Sequence, residues 1–352
     1  MSADEGRGSP GAEVLPAPPA PGFAARAWPA VITGGRIRVL PEDFRVDEEL
    51  GFEPSGAGAH RLLRIRKRGA NTGWVAMRLA RLLGVRTGDV GYAGLKDRHA
   101  VTEQWFSVPA AAPHALSEAD LAADGLAVVE AHAHDRKLRP GSHRANRFRI
   151  VVRDVRGDPD AIDGRLTEMG ERGVPNAFGP QRFGRGGHNL ELARALAAGR
   201  RMRRADRGFA LSAARSLIFN EALSRRVAAG EWDALVPGDR AGLAGSRSHF
   251  AVDVVDATLT ARVASHDVHP TGPLWGRGDP PTRGPIRRLE EDAAAAHATL
   301  RELLERSGMR QERRPLRLSV EDLDWGWEGT NLTLAFRLVA GGFATAVLVA
   351  LG

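Results

Sequence analysis

The chain reads as a globular protein that mixes strands and helices in two domains behind a tail, and three observations lead there. Its 352 residues are more than one typical domain holds. Apolar residues alternate with polar ones over short stretches, as at Leu63 and Ile65, at Phe148, Ile150 and Val152, and at Leu332, Leu334, Phe336 and Leu338. That is the period of a half-buried strand. Between these stretches apolar residues recur at helical spacing, as at Val75, Leu79, Leu82 and Leu83 and again at Leu289, Ala293, Ala296, Leu300, Leu303 and Leu304.

Taken in order, residues 1 to about 29 carry Pro10, Pro16, Pro18, Pro19, Pro21 and Pro29 with little hydrophobic periodicity, so a disordered tail is expected. Short strands follow around the turn at Pro41-Glu42-Asp43-Phe44. Asn71 or Thr72 caps a helix that ends near Gly84. A short strand around 90–92 and a second over 104–108 flank the segment containing Asp97, and 113–131 gives a mixed helical signal. Residues 135–153 hold seven cations against the single acid Asp135, and their last part alternates as a strand with most of its arginines on one face. A helix over roughly 155–175 precedes a loop rich in glycine, arginine and aromatics at 178–187. Asn189 is placed to cap a short helix, and Ser212 a long one after the basic run at 200–207. Residues 230–285 read as loop-rich, and the chain closes with a strand, a Gly341-Gly342 turn and an apolar helix over 343–351. No internal repeat is visible.

Composition narrows the chemistry. With no cysteine, disulfides, thiolate catalysis and cysteine-ligated zinc are excluded, and a reducing, cytoplasmic setting is the default expectation. No apolar run approaches the ~20 residues that span a bilayer, so no membrane partner is expected. The formal charge of +7 and pI near 10.8 favour a polyanionic partner, nucleic acid being the commonest. The cations are 47 arginines and only three lysines, Lys67, Lys96 and Lys137. In a chain so biased towards arginine, Lys96 beside Asp97 suggests a local constraint.

Several motifs are absent or incomplete. His132, His134 and Asp135 lack a further ligand for a metal site, so none is expected. The glycines at 184, 186 and 187 lack dinucleotide-loop spacing, and there is no Walker A lysine, so no nucleotide cofactor is expected. A serine-hydrolase elbow is missing.

The stretch Gly94-Leu95-Lys96-Asp97-Arg98-His99-Ala100-Val101-Thr102-Glu103-Gln104 resembles the signature of the TruD family of pseudouridine synthases. Further stretches resemble the family in the same order: Pro41-Glu42-Asp43-Phe44, Asn146-Arg147-Phe148, the run from Val174 to Gly184, Ser212-Ala213-Ala214-Arg215-Ser216 and Gly342-Phe343-Ala344-Thr345. The resemblance spans about residue 34 to the C-terminus. It implies an α+β fold: a catalytic domain with a mixed or largely antiparallel sheet over 30–171 and 311–352, interrupted by an inserted domain over 172–310, with 1–29 as the tail.

The resemblance also implies a reaction. Uridine in tRNA, at position 13, becomes pseudouridine: the bond from N1 of uracil to C1′ of ribose breaks and the base rejoins through C5. No metal or organic cofactor is required, and a monomer is expected. One ionised acid must act at the ribose, as nucleophile at C1′ or as base at C2′. By resemblance that acid is Asp97. Arg38, at a position where lysine is expected, is its candidate ion-pair partner, a planar fork able to make a two-pronged contact. Lys96 is a second candidate for catalytic support, although neighbours in an extended segment face opposite sides. Phe148 matches a stacking platform for a flipped base and Asn146 a hydrogen-bonding partner for it. Ala145 and Ala177 depart from the family pattern, which has Gly and an aromatic there. Arg147, Arg182, Arg185, Arg203 and Arg204 are candidate phosphate contacts. The rival reading is a non-catalytic RNA-binding protein or tRNA folding aid on the same fold. A glycosidase is disfavoured because Asp97 has no evident second acid.

Overall fold

A computed structural model describes residues 13–15 and 20–352. Residues 1–12 and 16–19 of the expected tail lie outside the described residues. The chain is α+β and divides into two compact units, one comprising 1–15, 32–157 and 321–341 and the other 16–31, 158–320 and 342–352.

The first unit is built on a ten-stranded sheet. Its central strand, His143–Arg156, pairs antiparallel with Phe44–Leu50, setting Phe148 opposite Val46 and Asn146 opposite Glu48. Asn331–Val339 also pairs antiparallel with the central strand, setting Phe336 opposite Phe148 and Leu338 opposite Asn146. The alternation read at 148–152 and 332–338 therefore belongs to two strands lying side by side. Phe44–Leu50 also pairs, in parallel, with Val101–Pro109, which is followed across the sheet by His60–Arg68 and Leu126–His134. The helix Thr72–Leu83 packs Val75, Leu79 and Leu83 with Leu63, Ile65 and Phe106 of the sheet. Its start is fixed by Asn71, whose side chain accepts from the Trp74 amide at 2.8 Å, and its end by Gly84 in the left-handed region at φ 69°.

The helical signal over 113–131 is only partly realised. A short helix, Glu118–Ala123, is followed by the strand Leu126–His134, because pairing with His60–Arg68 captures the later residues.

The second unit surrounds the long helix Arg204–Ala228, which buries Ala214, Leu217, Ile218 and Phe219 in a core shared with Phe178, Phe183, Trp232, Trp275, Leu300 and Leu304. Ser212 lies inside this helix and does not cap it; the helix begins eight residues earlier, after Arg203. The short helix His188–Ala197 is likewise preceded by Gly187, and Asn189 donates to the Arg182 carbonyl at 3.1 Å instead of capping. The region 230–285 is more ordered than its sequence suggests. It supplies three strands of a four-stranded sheet, His249–Ala251, Arg240–Leu243 and Val268–Leu274, completed by Glu312–Pro315. The apolar run 289–304 is broken into two helices, Gly284–Ala295 and Ala298–Arg306.

The units divide the chain at other places than the expected domain bounds. The helix Pro159–Arg172, residues 311–320 and residues 342–352 belong to the second unit, where Arg165 donates to the carbonyls of Pro29 (2.9 Å) and Ala350 (3.1 Å). Residues 20–29 are also packed, which corrects the tail assignment for that stretch. Asn220 donates to the Pro21 carbonyl at 2.9 Å, Phe23 is buried, and Trp28 meets Trp232 edge-on with centroids 5.5 Å apart. Proline-rich composition hid these two aromatic anchors. Among the described residues no helix is long and apolar enough to cross a membrane.

Candidate active site

Asp97 sits in the loop between the short strand Gly91–Tyr92 and the strand Val101–Pro109. Buried polar groups fix that loop from below. Thr72, the first residue of its helix, accepts from the Lys96 amide at 2.9 Å and donates to Gln104 Oε1 at 2.9 Å. The Gln104 side-chain amide donates in turn to the Gly94 carbonyl. Gly94 allows the close fit, since a Cβ there would lie 3.0 Å from Lys96 Nζ and 3.1 Å from Glu48 Oε2.

Lys96 turns into the core, away from the neighbouring Asp97 carboxylate. Its ammonium pairs with Glu48, a fully buried carboxylate whose other oxygen accepts from the Trp105 amide at 3.1 Å. The support that Lys96 gives is therefore to the loop's seat on the sheet.

The Asp97 carboxylate faces the other way and is 57% exposed. Arg38 Nη2 donates to its Oδ2 at 2.9 Å. The expected two-pronged contact is not formed, because Arg38 Nη1 is directed to Glu13 Oε1 at 3.4 Å. The guanidinium lies over the Phe44 ring, 4.1 Å from its centroid, a cation–π contact that holds it in place. Arg38 has φ 59°, a conformation that non-glycine residues rarely adopt and that clusters at functional positions.

Phe44 links this pair to the candidate base platform. Its ring meets Phe148 edge-on at 6.2 Å, and Phe148 stacks on Phe336 at 5.3 Å with 23° between planes. Asn146, two residues before Phe148, shares its face of the central strand. It is buried, and its Oδ1 has no hydrogen-bond partner among the described residues. An orphaned buried acceptor is costly unless something donates to it.

The candidate phosphate contacts differ in availability. Arg147 is engaged by Glu49 at 2.5 Å and Asp322 at 3.0 Å. In the second unit, Arg182 donates to Ser212 Oγ at 3.1 Å and lies over the rings of Phe178 and Phe343, and burial lowers its pKa. Arg185, Arg203 and Arg204 are exposed.

One residue of the site escaped the sequence reading. Lys67 is fully buried and donates to the carbonyls of Ala70 at 2.6 Å and of Asp97 itself at 3.1 Å. Its rarity was the available signal: it is one of only three lysines, as Lys96 is.

The α+β fold thus presents an exposed, ion-paired aspartate on a loop seated by buried hydrogen bonds, joined through Arg38 and Phe44 to the aromatic pair Phe148 and Phe336. The family model of tRNA pseudouridine synthase D (TruD) matches residues 24–207 and 194–350. The tRNA pseudouridine synthase D of Methylococcus capsulatus is 49% identical over 336 residues, covering 94% of this chain and 95% of the relative. That of Nitrosococcus oceani is 47% identical over 317 residues, covering 89% and 88%. A solved structure from Methanosarcina mazei, assigned to tRNA pseudouridine synthase D, shares the fold with a TM-score of 0.71 at 20% identity, covering 94% of this chain and 96% of that one. The chain belongs to the TruD family of tRNA pseudouridine synthases. It is accordingly an enzyme of the isomerase class that acts on tRNA.

Proposed function

We propose that this enzyme isomerises uridine 13 of tRNA to pseudouridine, with Asp97 acting on the ribose of a flipped-out nucleotide. The observation that carries this reading is the unbroken contact from Asp97 through Arg38 and Phe44 to Phe148. The acid and the base platform are thereby held by one set of side chains. The uracil stacks on Phe148 and its N3–H donates to Asn146 Oδ1, which removes that orphaned acceptor. Arg38 bonds one carboxylate oxygen of Asp97 and leaves the second outside the pair. That oxygen attacks C1′, or takes the proton from C2′, as the N1–C1′ bond breaks. After the base turns, C5 bonds to C1′ as the Asp97–C1′ bond breaks, or as C2′ takes its proton back from Asp97, and the C5 proton passes to water. Exposed arginines such as Arg185, Arg203 and Arg204 meet backbone phosphates, and the enzyme works as a monomer without metal or organic cofactor.

The test is to incubate unmodified tRNA transcripts with the protein and map pseudouridine by carbodiimide adducts and primer extension. A new stop reporting position 13 is expected. Tight tRNA binding with no adduct at any position would favour the folding-aid reading instead.

A further inference from the structure

We propose that Lys67 is a positioning residue for Asp97, its buried ammonium pinning the Asp97 backbone and lending positive charge to the site from beneath the loop. This rests on the reading of Asp97 as the reacting acid. Three observations carry it. Lys67 Nζ donates directly to the Asp97 carbonyl at 3.1 Å, so it acts on the very residue whose placement matters. The second bond, 2.6 Å to the Ala70 carbonyl, ties the ammonium to the chain just before the Thr72–Leu83 helix, whose first residue holds Lys96. And Lys67 has no carboxylate within ion-pair distance among the described residues, although it is 0% exposed.

A buried ammonium bonded only to carbonyls is an unusual choice for a structural pin, since a neutral donor would satisfy both oxygens without desolvating a charge. The charge itself needs a reason, and Asp97 is the acid that favours it. Desolvation brings the Lys67 pKa down to about 8, opposed by the attraction of Asp97 and reinforced by repulsion from Lys96. Other acids near the Lys67 strand are engaged elsewhere: Glu42 pairs with Arg68, and Glu103 with Arg64 and Arg66. Asp47, whose own carboxyl is pushed up by burial and by Glu103, is not among the groups acting on Lys67.

The consequence is an alkaline limit on turnover with no matching loss of fold. Above about pH 8 the folded protein releases the Lys67 proton, whereas the unfolded chain keeps it to about pH 10.4. The unfolded state then binds more protons, so the Lys67 contribution to stability improves as pH rises from about 8 to 10.4. Activity and stability move in opposite directions.

The experiment measures the single-turnover release of tritium from [5-³H]uridine tRNA between pH 6.5 and 9.5 for the wild type, Lys67→Met, Lys67→Arg and Asp97→Asn. Thermal midpoint and tRNA affinity are recorded at each pH. The wild-type rate should fall above pH 8 towards that of Lys67→Met, which should be about 10- to 100-fold slower at pH 7 with unchanged tRNA affinity. Lys67→Arg, permanently charged, should lose the alkaline limb even if its rate is lower overall. A wild-type profile flat to pH 9.5 overturns the proposal without needing any variant to fold. So does an alkaline limb that persists unchanged in Lys67→Arg. Release by Asp97→Asn at the wild-type rate overturns the Asp97 reading itself, whatever the Lys67 variants do.

Discussion

Arg38 holds Asp97 by one nitrogen, Nη2 at 2.9 Å from Oδ2, while its other terminal nitrogen faces Glu13 at 3.4 Å. A guanidinium can serve two carboxylates at once, which a lysine ammonium in a fixed pose does less readily. Removing the cation with Arg38→Ala should lower single-turnover tritium release about 10²-fold. Arg38→Lys should recover most of that loss. Glu13→Ala should change the rate less than about 5-fold, because exposed ion pairs contribute little. An Arg38→Ala enzyme as fast as wild type would remove Arg38 from the site.

Phe148 is half-buried between Phe44 and Phe336, so its ring has both a packing role and an open portion. Stacking a base on an aromatic contributes about 1–3 kcal/mol. Phe148→Ala should slow single turnover by about 10-fold or more, with tRNA affinity, set mainly by phosphates, within about 3-fold of wild type. Unchanged turnover would return Phe148 to the core.

The Lys96–Glu48 pair is buried on both sides, at 5% and 0% side-chain exposure. Glu48→Ala leaves Lys96 unpaired in the core and should cost about 3–5 kcal/mol of stability. Asp97→Asn, at an exposed carboxylate, should cost about 1 kcal/mol or less. Denaturant midpoints compare the two directly. Equal losses would mean that Asp97 is a structural residue.

Exposed arginines and paired ones should differ in their salt signature. Arg185→Ala should reduce the slope of log affinity against log salt by about one. Arg147→Ala should change it less, because Arg147 already neutralises Glu49 and Asp322. Binding titrations across salt concentrations measure both. Equal slope changes would show that the Arg147 pairs open when tRNA binds.

Much of the fold around the candidate site was legible because its signals are local. The helix cap at Asn71, the αL glycine at 84 and the alternation around Phe148 each depend on neighbouring residues, and each reads the same in sequence and structure. What escaped depends on distant partners. Leu126–His134 is a strand because it pairs with His60–Arg68, and Phe23 is packed because Asn220 and Trp232 receive its segment. Lys67 shows the same limit. It lies just beyond the alternation at Leu63 and Ile65, but only the fold brings its ammonium under a loop 30 residues away. The single-pronged Arg38 contact was also invisible, since Glu13 belongs to a stretch whose composition reads as a tail.

If Asp97 does the chemistry, replacing its carboxylate abolishes turnover. Unmodified tRNA labelled with tritium at C5 of uridine, incubated with wild-type and Asp97→Asn protein, measures it directly. Tritium release by the wild type and none above background by Asp97→Asn is expected, with tRNA binding retained by both. Release by Asp97→Asn at the wild-type rate would contradict it.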